Sequence, residues 1–141
     1  KYYILFYKII ITQFIQYIND NDNNTYTNKL TRDINTNIDS KLLLSVINDK
    51  ENTNHLDWLH ILGCFTNNNS TELKCVEYFR KELSKPLNPP ISKIINYGII
   101  PRLTQFLEYK YIKIQFESAW CITNIASGNN DETRILVDYG C

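Results

Sequence analysis

The pentapeptide Ile94-Ile95-Asn96-Tyr97-Gly98 returns 42 residues later as Leu136-Val137-Asp138-Tyr139-Gly140. The shared pattern is two aliphatics, Asn or Asp, Tyr, and Gly. Ser84 and Ser127, each closing a long helical stretch, are 43 residues apart. A fixed period of this size is a strong constraint. Each unit is too small to bury its own apolar face, so neighbouring units must stack and share a core.

The local signals between these marks are helical. Leu56, Leu59, Leu62 and Phe65 recur every three residues, close to helix periodicity. Asn67 to Asn69 form a turn, and Ser70 or Asn69 is the expected cap of a helix over 71–84, with Glu72 suited to its first turn. Lys85-Pro86 ends that helix. Pro89-Pro90, with Asn88 as cap, opens a short helix that stops at Gly98. Pro101 opens another over 102–109. A long helix spans 112–126 and ends at Ser127-Gly128. Asn129 to Asp131 lead into a last helix, 132–139, ended by Gly140. One short and two longer helices at a period in the low forties is the layout of armadillo-type repeats. The expected fold is therefore all-α, a right-handed armadillo α-solenoid fragment. The plainer alternative is a helical bundle with coincidental spacing.

The expected organisation is a low-complexity extension over 1–55, repeat 1 over 56–87, repeat 2 over 88–128 and the start of repeat 3 over 129–141. The chain has 141 residues and 16.6 kDa, one domain's worth of length. It has no Met and begins at Lys1, which reads as a fragment or a partial gene. Residues 2–18 are apolar but punctuated by Lys8, Thr12, Gln13 and Gln16, too short and polar for a clear membrane span. They read as a local helix or strand, with a membrane anchor or spurious upstream sequence as alternatives. Residues 19–40 are rich in Asn, Asp and Thr and lack periodicity, so they read as a disordered linker. Residues 41–48 are consistent with a short helix.

Charge narrows the function. Lys plus Arg and Asp plus Glu number 15 each, which argues against an electrostatically driven nucleic-acid binder. His55 and His60 share no helix face, and no CxxC pair exists among Cys64, Cys75, Cys121 and Cys141, so no metal site or other cofactor is expected. The first three cysteines read as core thiols of a reducing compartment. Four glycines form no phosphate-binding loop, and no nucleophile motif is present, so an enzyme is the least expected class. Trp58 reads as packed against the following helix. Tyr109 and Tyr111 read as shielding the convex side.

The helix over 112–127 carries the most specific signal. Take Trp120 as zero at about 100° per residue; Asn124 then falls at roughly +40° and Glu117 at roughly +60°. Lys113 falls at roughly +20°, Ser127 at roughly −20° and Phe116 at roughly −40°. Ile114, Ala119, Cys121, Ile122, Ile125 and Ala126 lie on the opposite arc. Trp120 thus sits within the polar stripe, although a lone helical Trp is usually core. An indole among polar neighbours can take the stem of Lys or Arg and stabilise its cation. Asn124, one turn on, can donate to and accept from a peptide backbone. In an Asn-rich chain it reads equally as a solvated surface residue.

These residues resemble a known family. Asn88-Pro89-Pro90-Ile91, Ile100-Pro101, Gln115-Phe116-Glu117-Ser118-Ala119-Trp120 and Thr123-Asn124-Ile125-Ala126-Ser127-Gly128 look like the second armadillo repeat of importin alpha. Phe79-Arg80-Lys81 with Leu83-Ser84 looks like the end of its first repeat. The likeness is specific over 79–140, weaker over 56–78 and absent over 1–55, where the family has a basic segment that binds importin beta. The resemblance implies a nuclear-import adaptor, in cytoplasm and nucleus, that binds cargo proteins bearing Lys/Arg-rich nuclear localisation signals. Importin beta is a partner in the intact family. The resemblance further implies that Trp120 and Asn124 form the first Trp/Asn pair of the peptide groove. It also implies that Ser127, Gly128 and Thr133 stand where a lysine ammonium meets a helix C-terminus. Ser127 and Thr133 also read as simple caps. Glu77 and Lys81, 43 residues before Trp120 and Asn124, make no such pair. The rival readings are an armadillo scaffold for non-basic partners and a membrane-anchored repeat fragment of little function.

Overall fold

The computed structural model describes residues 55–141. The readings of segments 2–18, 19–40 and 41–48 lie outside the described residues, and so does the Trp58 side chain. Among the described residues six α-helices follow one another: α1 (His55–Gly63), α2 (Asn69–Leu83), α3 (Ile91–Asn96), α4 (Ile100–Phe106), α5 (Ile112–Ala126) and α6 (Asn130–Asp138). The described residues form an all-α solenoid arrangement. No helix among the described residues is long and apolar enough to cross a membrane.

The helix ends follow local chemistry. Asn68, not Asn69 or Ser70, caps α2: its side chain accepts from the backbone N–H of Ser70 and Thr71, each at 3.1 Å. Three successive asparagines can all serve, and the backbone chooses. Asn67 is left-handed (φ 55) and Asn68 is extended, the conformation of an N-cap residue. Asn88 does not cap α3. It is left-handed (φ 48), and Pro90 takes the cap position without a side-chain acceptor. Pro101 sits in the first turn of α4, where it sacrifices no helical bond, but that helix stops at Phe106 rather than Tyr109. Asn129 and Glu132 form a reciprocal capping box, so α6 starts two residues earlier than the sequence suggested. Ser84 and Ser127 are the C-caps of the two long helices. Gly98 (φ 68) and Gly140 (φ 78) both turn the chain in the left-handed region after a short helix. The repeated pentapeptide thus encodes a repeated helix stop.

The two long helices, α2 and α5, pack on each other most extensively. α1 lies against α2, while α4 and α6 lie against α5. The buried set on α2 is Thr71, Glu72, Cys75, Val76, Phe79 and Leu83, one face at helical spacing. On α5 it is Ile114, Ser118, Cys121 and Ile125. Leu59, Phe65, Ile94, Ile99, Leu103, Phe106 and Leu136 complete one continuous core. Cys64, Cys75 and Cys121 are buried free thiols. Ala119 and Ala126 depart from the helical-wheel expectation, since both are exposed. Their equivalents 43 residues earlier, Val76 and Leu83, are buried on α2, which has α5 against it.

A polar knot joins the first two short helices to α2. Asp57 of α1 accepts from the hydroxyls of Tyr78 and Tyr97, each at 2.5 Å, and pairs with Lys93 at 3.1 Å. Burial pushes the Asp57 carboxyl up, but these three partners outweigh it and hold it below its ordinary value. His60 stacks on Tyr78 at 3.7 Å, and burial lowers its pKa. Because the folded carboxyl titrates below the unfolded one, its contribution is present above about pH 4 and is lost as pH falls through the folded value. The melting temperature of the wild type is therefore expected to fall more steeply between pH 5 and pH 3 than that of Asp57→Asn. Parallel curves for the two proteins would contradict this account.

Candidate functional site

The face of α5 that carries Trp120 and Asn124 meets the end of α2 through Arg80 and Ser84. Trp120 is 44 % exposed, and Asn124, one turn further, is half-buried. Both leave the core to Ile114, Ser118, Cys121 and Ile125, so the polar-stripe reading of Trp120 agrees with its exposure. The indole has two ring or cation neighbours. Phe116 meets it edge to face at 5.6 Å, and the Arg80 guanidinium of α2 lies over the ring, 5.0 Å from its centroid. Arg80 in turn donates through Nε to Glu117 Oε2 at 2.8 Å.

The Asn124 side chain is held as well. Ser84 donates its hydroxyl to Arg80 O at 2.7 Å and accepts from Asn124 Nδ2 at 2.9 Å. A serine hydroxyl has one proton, so this direction is fixed, and it leaves Asn124 Oδ1 turned away from Ser84. Trp120 therefore offers an open apolar surface, and Asn124 offers an oriented acceptor and a second donor. That combination suits an extended peptide bearing a cationic side chain.

The remaining three residues lie at the end of α5 and the start of α6. Ser127 Oγ donates to Asn124 O at 2.7 Å. Thr133 Oγ1 lies 3.1 Å from Ala126 O and 3.0 Å from Asn129 O. Both side chains thus act as caps in this structure. The Gly128 N–H meets Ile125 O at 3.0 Å, and a Cβ at Gly128 would collide with Glu132 Oε2. Gly128 is therefore the residue that lets Glu132 reach Asn129 N and close the capping box.

The sequence reading missed Arg80 and Ser84 as members of this site. They stand 40 residues before Trp120 and Asn124, and no local pattern couples residues so far apart. It also missed Tyr109. Its hydroxyl accepts from Arg102 at 2.8 Å, and its half-buried ring packs against the core. Tyr111, 38 % exposed, only precedes α5.

Comparison with known proteins agrees with the architecture. Residues 88–127 match the armadillo/beta-catenin-like repeat family. The chain is 40% identical over 79 residues to "Importin subunit alpha-1a" of Oryza sativa subsp. japonica, covering 55% of this chain and 15% of that protein. It is 53% identical over 62 residues to "Probable importin subunit alpha-A" of Dictyostelium discoideum, covering 44% and 11%. It is 37% identical over 93 residues to "Importin subunit alpha-1" of Schizosaccharomyces pombe, covering 62% and 17%. The chain thus spans less than a fifth of each of these relatives. Its residues 88–127 thus match an armadillo-type repeat, and about half of its length is similar to importin alpha subunits.

Proposed function

We propose that this chain is a peptide-binding module of a nuclear-import adaptor, recognising lysine- or arginine-rich localisation signals through Trp120 and Asn124. Ser127, Gly128 and Thr133 shape the adjoining end of the groove. The observation that carries the reading is an exposed indole and an oriented amide one turn apart on the groove side of α5, within a stretch similar to importin alpha. The module binds rather than catalyses. Cargo proteins with basic signals are its partners in cytoplasm and nucleus, and importin beta partners the whole adaptor.

Fluorescence polarisation with a labelled lysine-rich peptide tests the reading. A cation on an indole face contributes about 0.5–2 kcal/mol, so Trp120→Ala is expected to weaken binding about tenfold. Changing the peptide's central lysine to alanine removes the same interaction and is expected to cost a similar factor. Equal binding of the lysine and alanine peptides would instead favour an armadillo scaffold for uncharged partners. No binding to a well-folded protein extended by further repeats would sink the adaptor reading.

A further inference from the structure

The last turn of α2 makes two directed contacts to the candidate groove residues, and neither is needed to close the core. Arg80 is partly exposed and spans from Glu117 to the Trp120 ring. Ser84 is exposed and relays the Arg80 carbonyl to the Asn124 amide. We infer that Arg80 and Ser84 are positioning residues for peptide binding: Arg80 sets the plane of the Trp120 indole, and Ser84 sets which atom of the Asn124 amide faces the peptide. This rests on the peptide-binding reading above.

Two effects of Arg80 oppose each other, and their sizes decide the outcome. A guanidinium on the ring repels a second cation approaching the same indole. That repulsion is small, because Glu117 neutralises Arg80 at 2.8 Å and a cation on the far face would be about a Debye length away. The favourable effect is pre-organisation. An indole already in contact with Phe116 and Arg80 loses little rotamer freedom when a peptide docks, and ordering a free one costs about 0.5–1.5 kcal/mol. Positioning therefore outweighs repulsion. The same logic applies to Asn124, whose amide would otherwise flip between two orientations that present opposite groups.

A double-mutant cycle on the full 141-residue chain separates positioning from general stabilisation. Arg80→Ala is expected to weaken a labelled lysine-rich peptide about threefold to tenfold. In the Trp120→Ala background the same change is expected to have no further effect, because its route of action is gone. Arg80→Lys, which keeps a cation near the ring, is expected to recover part of the loss. An equal loss in both backgrounds, or tighter binding by Arg80→Ala, would overturn the inference. A second measurement needs no peptide. With Trp58→Phe leaving Trp120 as the lone indole, Arg80→Ala is expected to shift its emission and raise its quenching by iodide. Unchanged emission and quenching would overturn the positioning role by itself. If wild-type protein, extended by further repeats and well folded, fails to bind the peptide, the adaptor reading falls, while the emission result still decides whether Arg80 holds Trp120.

Discussion

Arg102→Ala is expected to destabilise the fold by about 3–5 kcal/mol, the largest single loss among the described charged residues, because it strands a buried carboxylate. Glu72 is fully buried, and Arg102 is only 4 % exposed. Arg102 Nη2 donates to Glu72 Oε1 at 2.6 Å, Nε to Cys64 O at 2.7 Å and Nη1 to Gln105 Oε1 at 2.9 Å. Its plane also lies over Phe106, with 4.6 Å to the centroid. Burial pushes the Glu72 carboxyl above its ordinary value even with Arg102 opposing it. The desolvation of the pair is thus large, and removing one partner differs from replacing both. The double substitution Glu72→Leu with Arg102→Met is expected to recover most of the loss. Urea denaturation followed by helical circular dichroism measures both. A loss below about 1 kcal/mol for Arg102→Ala would mean that water reaches the site.

Phe79→Ala is expected to cost about 3–5 kcal/mol for a different reason, an unfilled cavity where three helices meet. Phe79 is fully buried on α2. Its ring meets Tyr78 at 5.4 Å, and His60 and Tyr97 each at 6.4 Å, so α1, α2 and the end of α3 converge on it. Aromatic side chains carry large buried areas, and rigid helices collapse only partly around a lost ring. Phe79→Leu keeps much of the volume and is expected to cost less than half as much. The comparison also checks cooperativity. Because α2 packs along α5, loss of Phe79 is expected to lower one shared unfolding transition rather than create a second. Two separated transitions in a thermal melt would show that the repeats unfold independently.

Much of the fold was legible because its signals are local. Helix α5 spans residues 112–126, the range its pattern indicates, since apolar spacing, an early aliphatic and a terminal Ser-Gly all act within a few residues. Gly98 and Gly140 mark helix stops because only a residue without Cβ takes left-handed backbone at little cost. Cap assignments were less legible. Asn67, Asn68 and Asn69 have the same capping chemistry, and the backbone path of the turn selected Asn68. A helical wheel also counts every alanine on the apolar arc as buried. Ala119 and Ala126 show that burial needs a partner, which the wheel does not contain.

The candidate site divides in the same way. The spacing of Trp120 and Asn124 puts both on one face of a helix, because 100° per residue depends on the backbone alone. Their orientation depends on Arg80 and Ser84, which only the packing of α2 on α5 brings near. Arg102 and Glu72 make the sharpest contrast. By residue type each belongs in water, although each shares the helical spacing of its helix's buried face. Sequence by itself determined the repeat, the helix stops and the face that carries Trp120, since these follow from short-range sterics and helix geometry. The tertiary structure decided which charges are buried and which side chains hold the indole and the amide in place. Those outcomes depend on contacts between residues 30 to 40 positions apart, and such contacts exist only once the helices have stacked.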